Sequence, residues 1–337
     1  MRSEPLAITA ALTLAALLAA GTLEAQPIET AGVRAQGMAG AFVAVADDAT
    51  AVYWNPAALA KGPFFGAVLE HSSGDLDPAE DEGVVDTSAR AATLVAVGFP
   101  SLGVSYYRSR LVRAPAADAS SDTGSDAGGQ GSSEVSSLTA HQIGGTILQS
   151  LSENVIIGTT LKWVRGVSAA GPLDAAATND ERLDQARALA GRTGDAFDFD
   201  LGFLAVVGPA RLGLVAKNLL APRFEAPDGT ELGLEKQVRA GVAVPINAAV
   251  LVAGDVDLRK TTDVDGARRR RVSIGTEGKV NAHLVVRGGV GFAVEGGTRA
   301  TAAGGASVAV GRLWLDGQVT RGQHGDHSWS VGIRLQY

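Results

Sequence analysis

The sequence predicts an all-β protein, a 14-stranded antiparallel transmembrane β-barrel with an N-terminal plug (hatch) segment. Three observations predict it. A leader-like stretch opens the chain. Fourteen short segments then alternate apolar and polar residues. The connections between them alternate between tight turns and long loops. Loops sorted by length to two sides are the signature of an outer-membrane barrel, and a β-sandwich has no reason to sort them.

The leader is read over residues 1–25. Arg2 supplies a weak positive start, Leu6 to Ala20 is an apolar run, and Leu23-Glu24-Ala25 offers a cleavage site. A membrane anchor is the alternative reading, but the run is short for a bilayer helix of about 20 residues. The mature chain would begin at Gln26 and lie in the cell outer membrane. With no cysteine, neither a lipidated N-terminus nor a disulfide framework is available. The formal charge of −7 argues against nucleic acid as a partner.

Residues 26–62 follow as the expected hatch. Their central stretch, Ala31 to Lys61, is too apolar for a linker and too broken by Gly32, Gly37 and Gly40 for one helix. Pro56 ends or kinks whatever helix precedes it. Inside a lumen, Asp47 and Asp48 would need Lys or Arg partners on the wall.

The barrel is expected over 63–337. Its strands are read near 64–72, 90–98, 102–112, 136–148, 155–166, 196–206, 211–219, 236–244, 248–258, 269–278, 282–291, 300–310, 312–321 and 327–337. Each is about 9–11 residues, enough for a tilted strand to cross a bilayer. Side chains alternate faces along a strand. Phe197, Phe199, Leu201, Phe203 and Ala205 share one face, opposite Asp198 and Asp200. Trp329, Val331, Ile333, Leu335 and Tyr337 oppose Ser330 and Arg334. Val250, Val252, Gly254, Val256 and Leu258 oppose Asp255 and Asp257. A soluble barrel would give the same alternation inverted. The leader, the loop sorting and the aromatic Tyr337 together favour the membrane barrel. Within the long loop 167–195, Thr178 and Glu181 form a capping-box pattern before Leu183, Ala186, Leu189 and Ala190, so a short helix is expected there.

No catalytic constellation is found: H-E-x-x-H, G-x-S-x-G and the P-loop are all absent, and an enzyme is not expected. No cofactor is implied. His324 and His327 lack further ligands, and the acidic loop with Asp75, Asp77, Glu80, Asp81 and Glu82 lacks EF-hand spacing, so no metal is assigned. Lys162, Asp198, Asp200, Lys217, Asp255 and Asp257 are expected to face the lumen, either as an ion-pair lattice or as a polar path. Arg268, Arg269, Arg270 and Arg271 form a basic run at the long-loop side, a candidate contact for lipopolysaccharide phosphates or simply a solvated rim.

The stretch Gly37-Met38-Ala39-Gly40-Ala41 through Asn55-Pro56-Ala57 resembles the N-terminal signature of the outer-membrane transport superfamily typified by the long-chain fatty-acid transporter FadL. Its fuller form looks most like the PorV/PorQ branch. Asp198-Phe199-Asp200-Leu201-Gly202, Lys217-Asn218-Leu219, Gly275-Thr276-Glu277 and Arg287-Gly288-Gly289 are weaker echoes. The resemblance implies a 14-stranded barrel whose hatch carries Asn55, Pro56 and Ala57. It implies passage of small hydrophobic, fatty-acid-like molecules, with Gly37, Met38, Gly40, Asp47 and Asp48 as further hatch residues. The alternative it implies is a secretion adaptor with a secretion-system protein as partner.

Overall fold

The structure, a computed structural model, describes residues 31–76, 86–115, 134–172, 177–262, 268–295, 300–323 and 326–337. The leader, residues 26–30, the acids Asp77, Glu80, Asp81 and Glu82, and His324 lie outside the described residues.

Fourteen antiparallel strands close into a barrel: β1 (Gly66–Leu76), β2 (Asp86–Phe99), β3 (Leu102–Pro115), β4 (Glu134–Ser152), β5 (Val155–Pro172), β6 (Arg192–Val207), β7 (Ala210–Lys217), β8 (Gln237–Pro245), β9 (Val250–Asp257), β10 (Arg268–Lys279), β11 (Leu284–Glu295), β12 (Ala300–Val310), β13 (Leu313–Gly322) and β14 (His327–Gln336). Each strand pairs with its neighbours in sequence, and β1 pairs with β14 to close the ring. Closure leaves no open edge, as a strand-built wall in lipid requires.

The alternation read from sequence is the alternation seen. Asp198 and Asp200 are buried, while Phe197 on the other face is 75% exposed. Trp329, Val331 and Ile333 are exposed, and Ser330 and Arg334 are buried. The exposed apolar residues Leu69, Val95, Val104, Leu161 and Ile274 belong to the same outward face. Phe64 and Tyr337 stand exposed at the short-turn end.

Several strands run longer than expected, β4, β5 and β6 most of all, with 19, 18 and 16 residues. The extension of β5 is buried at Ser168, Ala169, Ala170 and Gly171, so the turn-like composition around Gly166 does not end the strand. On the outward-facing register positions, helix α3 (Asn179–Ala188) packs Leu183 and Ala186 against Ala89, Val112, Ala114 and Val135. The capping box starts it as expected. Thr178 Oγ1 accepts from Glu181 N at 3.4 Å, and Glu181 Oε2 accepts from Thr178 N at 2.8 Å. On the inner side, a small hairpin (Arg223–Glu225 with Glu231–Gly233) lies in the loop after β7. It buries Phe224 and Leu234 against Ala140 and Val164. The helix therefore covers the outside of the rim and the hairpin the inside.

Candidate functional site

The lumen nearer the short turns is occupied by the chain's own segment Ala31–Lys61. It contains two short helices, α1 (Val33–Gly37) and α2 (Ala51–Trp54), and a 3-10 turn, Pro56–Lys61. Nearly every residue is buried, and Met38, Phe42, Val43, Val45, Trp54 and Asn55 are 0% exposed. Phe42 meets Trp54 edge-on at 5.7 Å, and Trp54 Nε1 donates to Ala31 O at 3.1 Å, so the segment has a small core of its own. Gly40 turns the chain with φ 86°, a left-handed conformation that glycine adopts without strain.

The wall is notched to receive it. Gly158 on β5 and Gly202 on β6 are cross-strand partners. A Cβ at Gly158 would stand 2.5 Å from Ala57 N, and one at Gly202 would stand 2.2 Å from Asn55 Oδ1. The Asn55-Pro56-Ala57 turn thus rests on bare backbone. Gly275 and Gly289, partners across β10 and β11, seat Met38 in the same way. Gly213 and Gly241, partners across β7 and β8, seat Val43. At the opposite end of the barrel the partners Gly166 and Gly194 seat Phe224 of the small hairpin.

Asn55 satisfies all of its hydrogen-bonding groups but one lone pair. Its Nδ2 donates to Val43 O at 2.9 Å and to Phe203 O on β6 at 3.1 Å, and its Oδ1 accepts from Ala57 N at 3.2 Å. One side chain therefore joins two parts of the segment to the wall. Pro56 follows at the first position of the 3-10 turn, where its missing N–H is harmless.

Two buried ionic networks complete the lumen. The first is centred on Arg34. Its Nη1 donates to Asp47 at 3.0 Å and Asp48 at 2.6 Å, and its Nε and Nη2 clasp Glu277 of β10 at 3.1 and 2.9 Å. Arg287 of β11 donates to Glu277 at 2.5 Å. Arg334 of β14 reaches Asp316 at 3.2 Å and Asp48 at 3.7 Å, and Arg211 of β7 reaches Asp47 at 3.4 Å. Four arginines thus face four carboxylates, which is how buried charges are tolerated. Burial works against the charged form of Asp48. Arg34, Arg334 and the Thr50 hydroxyl outweigh it and hold the carboxyl below its ordinary range.

The second network contains the sequence-predicted wall charges. Lys162 Nζ contacts Asp200 at 2.6 Å, Asp198 at 2.8 Å and Asn218 Oδ1 at 2.7 Å. Asp198 and Asp200 also accept from the N–H groups of Leu220 and Asn218, pinning the loop that leads to the small hairpin. Lys217 lies 3.0 Å above the ring of Tyr53 in the luminal segment. Asp255 accepts from the N–H groups of Phe42 and Val43 at 2.9 Å each, and Asp257 pairs with Arg239 at 2.6 Å. Asp255 and Lys217 therefore face the segment, while Lys162, Asp198, Asp200 and Asp257 tie strand to strand or strand to loop.

The arginine run opens β10: Arg268 is exposed, Arg269 is buried, and Arg270 and Arg271 are partly buried.

Sequence reasoning missed the wall partners Arg211, Glu277, Arg287, Asp316 and Arg334, and also Arg34 itself. It missed the glycine pairs as well. Two of the family echoes contained them unrecognised. Gly275-Thr276-Glu277 and Arg287-Gly288-Gly289 hold one glycine pair and one ion pair between them.

A closed fourteen-stranded wall, an apolar outer face and a lumen filled by the chain's own N-terminal segment define a β-barrel of the outer-membrane type. Residues 84–257, just over half of the chain, match the family described as F plasmid transfer operon, TraF, protein, and the chain belongs to that family. No match is found among curated proteins. Among solved structures, the fold is similar to that of the CymD monoaromatic hydrocarbon channel, with TM-score 0.65, 14% identity, and coverage of 93% of this chain and 99% of that one. It is similar to the P. putida toluene transporter TodX, with TM-score 0.61, 13% identity, and coverage of 92% and 99%. It is also similar to a Pseudomonas aeruginosa FadL homologue, with TM-score 0.63, 11% identity, and coverage of 94% and 100%. At such identities the likeness is one of fold.

Proposed function

We propose that this chain is an outer-membrane channel for small hydrophobic molecules, with residues 26–62 acting as a hatch within a barrel formed by 63–337. Passage requires the hatch to shift, because its packed residues fill the lumen near the short turns. The observation that carries this reading is the seating of Asn55-Pro56-Ala57 on the partnered glycines Gly158 and Gly202. Such a seat fits a separate piece docked into a finished wall. The substrate class draws on the structurally similar proteins, described as a monoaromatic hydrocarbon channel and a toluene transporter.

The chain has no cysteine of its own, so a tether can be engineered cleanly. A Cβ built on Gly98 of β2 stands 3.6 Å from Ala49 Cβ, within the range of a disulfide, and its close neighbour Leu59 Cδ1 is the far end of a flexible side chain. Cells expressing A49C/G98C are expected to take up toluene slowly when oxidised and at the wild-type rate after reduction. Equal uptake in the two states would sink the gating mechanism. Uptake no faster than in cells lacking the chain would sink the channel itself. A second reading is a barrel acting as a protein-secretion adaptor; the family description, which names a plasmid transfer operon, suits a role in a larger assembly. That reading predicts a stable protein partner co-purifying from outer membranes, and a barrel that purifies alone counts against it.

A further inference from the structure

The outer wall presents two matched rows across β3, β4, β5 and β6, toward the long-loop end. In one row Tyr106, Ile143, Trp163 and Phe197 are successive cross-strand partners. One step closer to the long loops, Arg108, His141, Arg165 and Asp195 are successive partners on the same outward face. Adjacent strands lie about 4.8 Å apart, so Arg108 and Arg165 stand roughly 10 Å apart with His141 between them. Arg110 follows Arg108 on that face and donates Nη2 to Arg187 O, at the C-terminal end of α3, at 2.8 Å.

The charges in this patch are not balanced from within. Asp195 is the single carboxylate of the row, and it takes Arg165 Nε and Nη2 at 2.9 and 3.1 Å. Among the described residues, nothing on the protein pairs with the Arg108 guanidinium, Arg165 Nη1 or Arg110 Nε. Arg108 and Arg165 flank His141, with Asp195 as the one carboxylate, so the row carries surplus positive charge that an anion seated beside Arg108 would offset. Two contacts hold the patch in shape. Arg165 lies 4.8 Å over the Trp163 ring, and His141 Nδ1 is 2.8 Å from Tyr106 Oη, which turns Nε2 away from the tyrosine.

The position suggests the anion. Aromatic rows of membrane barrels sit at the interface between hydrocarbon and headgroups, so cations one step beyond meet headgroup phosphates. Guanidinium groups fit phosphate oxygens in a forked geometry. We infer that Arg108, His141 and Arg165, with Arg110 behind them, form a binding site for the phosphate of an outer-leaflet glycolipid of the lipid A type. This site is separate from Arg268–Arg271 and from the lumen, and it rests on the bilayer reading above.

The full chain, folded in detergent micelles, is titrated with bisphosphorylated lipid A and with its phosphate-free analogue. Liposome flotation of the same preparation reports bilayer insertion. The wild type is expected to bind the phosphorylated lipid about tenfold or more tightly than R108Q/R165Q does, as loss of two charge-assisted contacts implies. It is expected to prefer that lipid over the analogue, and R268Q is expected to match the wild type. If the double variant fails to fold, R108Q alone carries the test, since among the described residues its side chain has no protein partner to lose. Equal binding by wild type and variant, or equal binding of the two lipids, overturns the site. A loss in R268Q as large as in the variants does the same. Failure of the wild type to float overturns the bilayer reading instead.

Discussion

Alanine at Gly202 adds one methyl group to the wall beneath the Asn55-Pro56-Ala57 turn. That methyl would stand 2.2 Å from Asn55 Oδ1, 2.8 Å from Pro56 Cδ and 2.9 Å from Ala57 N. Two of these three atoms belong to the turn's backbone or proline ring, which cannot rotate aside, so the turn must lift. Overpacking of this kind costs about 1–3 kcal/mol. Lifting the turn also strains the one bond from Asn55 to the wall, to Phe203 O, worth about 0.5–1.5 kcal/mol, while the bonds to Val43 and Ala57 lie within the segment and move with it. The net loss of docking free energy is therefore about 1.5–4.5 kcal/mol, or roughly 10- to 10³-fold in the opening equilibrium. Gly145 supplies the control. It faces outward on β4, and a Cβ there meets nothing within 4 Å. Hydrogen–deuterium exchange of peptides from 41–59 in micelles reads the opening directly. G202A should exchange faster by that factor and G145A should match the wild type. Equal protection in the two variants would refute the claim that glycine is needed for close approach.

Arg34→Met should release the segment more severely than any single apolar deletion within it. It leaves Asp48 with Arg334 at 3.7 Å as its remaining cation and Glu277 with Arg287 alone, and removing one partner of a buried ion pair costs about 3–5 kcal/mol. Larger ion conductance in planar bilayers and greater sensitivity of cells to bulky antibiotics are the readouts, and wild-type conductance would count against it. Arg34→Lys should rescue only in part, because a single ammonium cannot clasp Glu277 with two nitrogens. Phe224→Ala should free the small hairpin from its seat on Gly166 and Gly194 while leaving the luminal segment in place. A buried phenylalanine truncated to alanine loses about 3–5 kcal/mol, so limited proteolysis should cut the loop after β7 faster with no change in exchange over 41–59.

What was legible in the sequence follows from what local rules can carry. The wall was legible because a strand reports its two faces at every second residue, as in Phe197 to Ala205 against Asp198 and Asp200. The cap of α3 was legible because Thr178 and Glu181 act across three residues. The glycine seats were not, because each is a property of two strands at once. Gly158 and Gly202 are ordinary strand glycines until register places them side by side. The same holds for Arg34 and Glu277, which are 243 residues apart. The burial of Arg269 beside exposed Arg268 was not legible either, because composition marks the basic run but not which of its members a strand buries.

The way the segment is held bears on how it could leave under the proposed gating. An element fixed mainly by apolar burial loses about 25 cal/mol for every Å² returned to water, with nothing to offset the loss. Here the segment meets the wall through Arg34 and Glu277, Asp48 and Arg334, Asp255 with two backbone N–H groups, and Asn55 with Phe203 O. Each of these groups regains hydration when the contact opens, so the net value of each bond is far below its strength in the closed lumen. The Phe42–Trp54 contact lies inside the segment and can travel with it, whereas the same core cluster also includes the wall residues Leu94, Tyr107, Ile156, Leu204 and Val215, burial that opening returns to water. The glycine notches give shape specificity to the seat. A piece that is shaped to one seat, neutralised by ion pairs and able to carry part of its apolar packing with it is released at a lower free energy than one held by apolar burial alone. A hatch needs that combination, and a permanent core element does not.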